Sequence, residues 1–333
     1  MNGKPRCLVT CRIHAEVEEY LGRYCELDLN RSDESLSHEE FCRRAADVDA
    51  AMTFMPDKVD EKLLAGAARL KVIGAALKGY DNYDVEAATR HGVWLTYVPD
   101  LLTEPTAELT IALMLGLSRN VKAGDRRVRS EFQGWRPVLF GTGVSGSVVG
   151  IIGLGRLGQA VARRLQAWNA RLLGFDVSEK ALAAARAFGV EGCALNELLE
   201  RSDVVLVLTP LTAQTRSLLN AGRIALMKKG AFLVNTGRGS CVDEPAVAEA
   251  LERGHLAGYA ADVFSFEDWA LEGRPECIYP PLLSPALNTL FTPHLGSAVD
   301  RVRSAIEMTA ARNIVDVLEG RVPANPVNRV VGR

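Results

Sequence analysis

The chain has 333 residues, 48% hydrophobic and 24% charged, with a formal net charge of −2. That length exceeds one ordinary core and fits two domains, and so apolar a chain with so little net charge is not disordered. Acidic residues (41) slightly outnumber basic ones (39), so the basic footprint of a nucleic-acid binder is absent.

The opening stretch MNGKPRCLVTCRIHAEVEEY has only a few apolar residues before Arg12, too few for a signal-peptide core. The longest apolar run, Leu109–Leu117, is broken by Thr110 and Gly116 and is too short to span a bilayer. Cys7, Cys11, Cys25, Cys42, Cys193, Cys241 and Cys277 form no C-x-x-C pair and no tight Cys/His cluster. These features predict a cytoplasmic protein with reduced thiols, no bound metal and no membrane partner.

Strand-like and helix-like patterns alternate along the chain, which predicts an α/β protein with parallel sheets. Early strands are expected at Cys7–Thr10, Ala50–Phe54, Val72–Ala75 and Trp94–Tyr97, with helices at Ala15–Leu21, His38–Ala46 and Glu61–Ala68. Ser37 is placed to cap the second of these helices. The segment Val98–Thr106 contains two prolines and breaks the pattern before an apolar helix, Ala107–Arg119. A basic stretch follows, with Arg119, Lys122, Arg126, Arg127 and Arg129, and reads as a solvated face or subunit contact.

A second alternation begins at Val148. Strands are expected at Val148–Ile152, Arg171–Phe175, Val204–Leu208, Ala231–Asn235, Gly258–Ala261 and Thr289–Phe291. A long helix, Ala298–Leu318, then returns the chain to the first domain. The predicted division is a discontinuous substrate domain, 1–100 with 294–333, and a cofactor domain, 101–293.

Gly153-Leu154-Gly155-Arg156-Leu157-Gly158 follows an apolar strand and opens a helix, the context a G-x-G-x-x-G fingerprint requires. Its glycines permit a tight turn and close approach of a pyrophosphate, with the amides of Arg156 and Leu157 facing that anion. Asp176 ends the next strand, where a carboxylate accepts hydrogen bonds from ribose hydroxyls and repels a 2′-phosphate. Val177 and Ser178 supply no guanidinium for such a phosphate, so NAD is expected rather than NADP.

Three charged residues each follow a strand, where open α/β sheets place ligands. Arg238, in Asn235-Thr236-Gly237-Arg238-Gly239, offers a fork of donors for an oxyanion. His294, in Thr292-Pro293-His294, can exchange a proton near neutral pH, and Glu267 can hold one of its ring nitrogens. Of the other histidines, His38, His91 and His255 read as structural or exposed, whereas His14 follows a strand and is a minor candidate for a functional role.

Together these features resemble the D-2-hydroxyacid dehydrogenase family over essentially the whole chain. The resemblance implies a Rossmann-type, doubly wound cofactor domain plus a flavodoxin-like substrate domain, in a homodimer. It places the family's catalytic Arg, Glu and His on Arg238, Glu267 and His294, and NAD contacts on Thr106, Leu208, Thr209, Pro210, Thr236 and Asp262. Within the family, longer matches at Phe54-Met55-Pro56-Asp57, Ala76-Leu77-Lys78-Gly79-Tyr80-Asp81-Asn82, Val98-Pro99-Asp100-Leu101-Leu102-Thr103, Phe132-Gln133-Gly134-Trp135 and Glu267-Asp268-Trp269 resemble the phosphite (phosphonate) dehydrogenases.

That narrower resemblance implies oxidation of phosphite to phosphate with reduction of NAD⁺. Met55, Lys78, Gly79 and Arg303 become substrate residues, His294 the base that activates water, with Arg238 or Lys78 as an alternative aid to the base, and Trp135 either a cap or a plain core or interface residue. Phe140 stands where a tyrosine is expected in this subgroup, and Ser265 where an acid is expected. Two rivals remain open: an NADH-dependent reductase of hydroxypyruvate, glyoxylate or another 2-keto acid, which the same trio serves equally well, and a non-enzymatic NAD(H)-sensing scaffold.

Overall fold

The computed structural model describes residues 3–32, 34–132, 134, 139–269 and 271–330. The chain divides into two compact units. The first comprises Met1–Leu102, Trp269–Glu272 and Ala298–Arg333, and the second Thr103–Asp268 and Gly273–Ser297.

The first unit is built on β1 (Arg6–Val9), β2 (Glu26–Leu29), β3 (Ala50–Thr53), β4 (Val72–Ala75) and β5 (Trp94–Thr96). All pair in parallel, in the order β2-β1-β3-β4-β5. β3 and β4 are buried along their whole length because apolar layers cover both faces. One face packs Val9, Met52 and Val72 against Ile306, Ala310 and Ile314 of the helix Asp300–Leu318. The other packs Leu8, Ala51 and Ile73 against Phe41, Leu63 and Leu64. The C-terminal segment seals the β5 edge: the Leu95 amide donates to Asn328 Oδ1 (2.9 Å) and the Val327 amide to the Leu95 carbonyl (2.8 Å).

The second unit carries β6 (Val148–Ile152), β7 (Arg171–Phe175), β8 (Val190–Gly192), β9 (Val204–Val207), β10 (Ala231–Asn235), β11 (Leu256–Ala261) and β12 (Thr289–Phe291). These form one parallel sheet in the order β12-β11-β10-β9-β6-β7-β8. Chain order reverses between β6 and β9, which makes the carboxyl ends of these strands the binding edge. The helix Thr103–Ser118 packs Ala107, Met114 and Leu117 onto Val149, Leu206 and Val234 of this sheet.

Two parallel-sheet α/β domains are thus what the alternation predicts. Four elements were not anticipated: β2, β8 and the helices Val85–Arg90 and Val121–Glu131. The basic stretch is a helix, Val121–Glu131, with no buried residue. Ser37 caps His38–Ala45 as expected, its hydroxyl accepting from the Glu40 amide (3.2 Å). Among the described residues, no helix is long and apolar enough to cross a membrane.

Candidate active site

The glycine fingerprint forms the turn between β6 and the helix Arg156–Leu165. Gly153 has φ +96°, a conformation that disfavours any side chain. Gly155 is the helix N-cap, offers no side-chain cap, and has open space where a Cβ would stand. The amides of Arg156 and Leu157 open the helix, whose positive end suits an anion. Asp176, just past β7, accepts from the Leu154 amide through Oδ2 (2.7 Å) and the Ser178 amide through Oδ1 (2.8 Å). Each oxygen keeps a lone pair for a ribose hydroxyl. Across the turn, Leu208 and Thr209 are buried, and the Leu208 amide donates to the Ile152 carbonyl (2.8 Å). The Pro210 carbonyl accepts from the Thr215 hydroxyl (2.7 Å). Buried Thr236 shares a hydroxyl hydrogen bond with Thr110 (2.8 Å). The donors, the open cradle and the acidic residue fit a pyrophosphate-linked dinucleotide.

The three charged residues lie after β10, β11 and β12. His294 Nδ1 is 2.6 Å from Glu267 Oε2, and Glu267 Oε1 accepts from the Phe264 amide (3.0 Å). Both carboxylate oxygens are therefore fixed, and the imidazole is oriented through Nδ1. His294 adopts φ +56°. Asp262 maintains that turn: its carbonyl accepts from the His294 amide (2.9 Å), Oδ1 from the Leu295 amide (2.7 Å) and Oδ2 from the Gly296 amide (2.9 Å). The Thr292 hydroxyl also donates to Asp262 Oδ1 (2.6 Å). Burial pushes the Asp262 carboxyl up, against the pull of these donors. The sequence places Asp262 among the NAD contacts, and in the structure its carboxylate also builds the His294 loop. Thr106 joins the same loop, its hydroxyl donating to the Gly296 carbonyl (3.1 Å). Half-buried Arg238 donates through Nη1 to the Gly237 carbonyl (2.9 Å), and Asn235 Nδ2 ties the Arg238 carbonyl (2.9 Å).

In the five-stranded unit, Met55 follows β3 and Lys78-Gly79 follows β4, on one sheet edge. Arg303 stands in the first turns of Asp300–Leu318, its guanidinium 5.7 Å from the Phe54 ring centroid, with Nη1 donating to the Ala76 carbonyl (3.4 Å). The structure thus gathers these four substrate candidates on one edge of this unit. Asp57 anchors their loop by accepting from the Phe54 amide (2.7 Å) and the Thr10 hydroxyl. Its near-complete burial raises the carboxyl to about 6. The Asn82 side chain holds the Met55 carbonyl (3.0 Å).

His14 makes a structural tie. Nδ1 lies 2.8 Å from Glu307 and Nε2 3.3 Å from Asp300, and the Glu307 bond raises the imidazole pKa. Cys241 is a buried packing residue, its thiol pushed up by burial. Phe140 is exposed, and its carbonyl accepts from Asn120 Nδ2 (3.0 Å). Trp135 lies outside the described residues. Ser265 is answered by Glu244, which accepts its amide (2.7 Å) and hydroxyl (2.8 Å). The sequence reading missed Glu244 and Asp268, two buried carboxylates behind the loops of Arg238 and Glu267. Among the described residues, no group of three His, Cys, Asp or Glu side chains is placed to hold a metal ion.

The sequence profile of the D-isomer specific 2-hydroxyacid dehydrogenase NAD-binding domain matches residues 111–296. The chain is 36% identical to a glyoxylate reductase of Pyrococcus furiosus, over 98% of this chain and 96% of that protein. It is 37% identical to a glyoxylate reductase of Aeropyrum pernix, over 98% and 97%. The crystal structure of the TT0316 protein from Thermus thermophilus matches with a TM-score of 0.88 and 38% identity, over 97% of this chain and all (100%) of that one. The chain belongs to the D-isomer specific 2-hydroxyacid dehydrogenase family; it is an oxidoreductase whose cofactor is NAD. The expectation of phosphite oxidation is corrected by these comparisons, since full-length relatives at 35–37% identity are glyoxylate reductases. Lys78 does not separate the two chemistries, because a lysine neutralises a carboxylate as readily as a phosphite.

Proposed function

We propose that this protein reduces a small 2-keto acid of the glyoxylate or hydroxypyruvate class to the 2-hydroxy acid. The observation that carries this reading is the Glu267–His294 pair, at 2.6 Å, in a chain whose full-length relatives are glyoxylate reductases. When bound, NADH would supply the hydride needed at the keto carbon. His294, with Nδ1 committed to Glu267, donates the Nε2 proton to the keto oxygen. Arg238 donates to the same oxygen and opposes the charge that develops there. In the five-stranded unit, Lys78 and Arg303 recognise the carboxylate, and Met55 and Gly79 shape the loops around it. Loss of nicotinamide absorbance with NADH and glyoxylate, matched by an equal amount of glycolate, tests the reading. Partner binding that depends on NADH, with no turnover of any 2-keto acid, refutes it.

Lys78→Ala is expected to raise KM for glyoxylate about ten- to a hundredfold, the range of one hydrogen bond to a charged group, with a smaller change in kcat. An unchanged KM removes Lys78 from substrate binding. Asp176→Ala is expected to shift the NADP/NAD ratio of kcat/KM toward NADP by roughly tenfold, by removing a carboxylate that repels a 2′-phosphate. An unchanged ratio in steady-state assays excludes that role.

A homodimer is proposed on the Val121–Glu131 helix, where Val121 and Val128 are 58% and 61% exposed and neighbouring Phe140 is 82% exposed. These exposed apolar side chains, on and beside an otherwise basic helix, are ones that a partner subunit would cover. Light scattering after size exclusion is expected to give twice the chain mass, falling to one chain mass for Val128→Asp. A monomeric wild type rules the dimer out.

A further inference from the structure

The catalytic trio is carried on three separate loops of the seven-stranded unit, and catalysis requires that these loops stay in register. Glu267 and His294 are tied to each other directly. The bonds of Asn235 to the Arg238 carbonyl and the Gly237 amide stay within the Arg238 loop and do not fix it to the other two.

A bond that crosses between loops comes from Asp268. Its carboxylate, 2% exposed, accepts from the Ser240 amide through Oδ2 (2.7 Å). Ser240 lies in the short turn Gly239–Cys241 that closes the Arg238 loop, with the Cys241 amide returning to the Arg238 carbonyl (3.2 Å). Asp268 caps the turn Ser265–Glu267, its own amide donating to the Ser265 carbonyl (3.3 Å). Adjacent residues of one turn therefore face two catalytic loops: Glu267 bonds His294, and Asp268 bonds the loop of Arg238. Packing brings the two turns into contact, for a Cβ on Gly239 would stand 1.9 Å from the Phe264 carbonyl carbon. A second buried carboxylate, Glu244 (3% exposed), braces the far side by accepting the Ser265 amide and hydroxyl and the Tyr279 amide (3.1 Å).

We infer that Asp268 is a positioning residue that locks the Arg238 loop to the turn bearing Glu267. Its buried carboxylate forms a charge-assisted bond to an amide, stronger than a neutral bond at the same place. Glu244 holds that turn against its neighbours, so the lock has a fixed base. The inference rests on the proposed role of Arg238 at the keto oxygen.

The test uses full-length Asp268→Ala and Asp268→Asn with NADH bound. Asp268→Ala is expected to lose about a hundredfold in kcat/KM for glyoxylate, the scale of a misplaced catalytic group, with NADH affinity unchanged. Asp268→Asn keeps an acceptor for the Ser240 amide and is expected within about fivefold of wild type. Hydrogen exchange read at residues 238–242 is expected to show a slow Ser240 amide in the wild type and the Asn variant, and a fast one in the Ala variant. Wild-type kcat and KM per NADH-binding site in Asp268→Ala overturn the inference, even where the melting temperature falls. So does a fast Ser240 amide in the wild type, a measurement that stands if the Ala variant does not fold. A wild type that reduces no 2-keto acid overturns the proposed function, while the exchange measurement still decides the lock.

Discussion

Replacing His294 by alanine is expected to lower kcat for glyoxylate reduction about a thousandfold, within the range of a lost general acid. Both oxygens of Glu267 are engaged, one by His294 Nδ1 and the other by the Phe264 amide, so the imidazole is held in one orientation. Alanine removes the proton donor while leaving the Asp262 bonds to the amides of residues 294, 295 and 296, which define the loop. NADH affinity, read by fluorescence titration, is therefore expected to be retained. The equilibrium constant of the reaction is independent of the enzyme, so oxidation of glycolate must fall with the reduction of glyoxylate. Near-normal turnover in either direction removes His294 as the acid. Glu267→Gln keeps an acceptor for Nδ1 but not its charge and is expected to be impaired less than the alanine variant of His294.

The central strands were legible because burial on both faces leaves an unbroken apolar signature. β3 reads Ala-Ala-Met-Thr and β9 Val-Val-Leu-Val, with every position buried. β2 and β8 were missed because they lie at sheet edges, where Glu26, Asp28 and Glu191 break that signature. The glycine fingerprint was legible for a related reason: its backbone demands are local, and Gly153 at φ +96° is one that sequence alone can encode.

The proposed catalytic trio can be picked out in the sequence as three charged residues after three strands, but the supports behind it cannot. Nothing in the sequence around Asp262 shows that its carboxylate also accepts from Thr292, Leu295 and Gly296. Asp268 sits beside Glu267 in the chain, and nothing in that adjacency tells which of the two turns inward to Ser240. Long-range hydrogen bonds to backbone amides leave no pattern in a single sequence. The same limit explains the substrate correction. Lys78 and Arg303 are cations suited to an anionic substrate, and cations alone do not encode whether the reacting atom is carbon or phosphorus.

Arg238→Gln is expected to lower kcat/KM for glyoxylate by about two to three orders of magnitude, the scale of a lost oxyanion donor. Arg238→Lys is expected to recover only part of this, because an ammonium restores the charge but not the planar fork that spans two oxygens. How the loss divides is informative. A ground-state carboxylate contact alone raises KM and spares kcat; a donor to the keto oxygen lowers kcat, because that oxygen gains charge only as the hydride arrives. The half-buried guanidinium donates to the Gly237 carbonyl, and the Asn235 side-chain amide holds the Arg238 main-chain carbonyl, so the glutamine variant loses charge and donors without losing the turn. Steady-state kinetics on both variants, normalised to NADH-binding sites, decide the matter. A fall in kcat places Arg238 at the reacting oxygen, and a change confined to KM moves it to carboxylate binding.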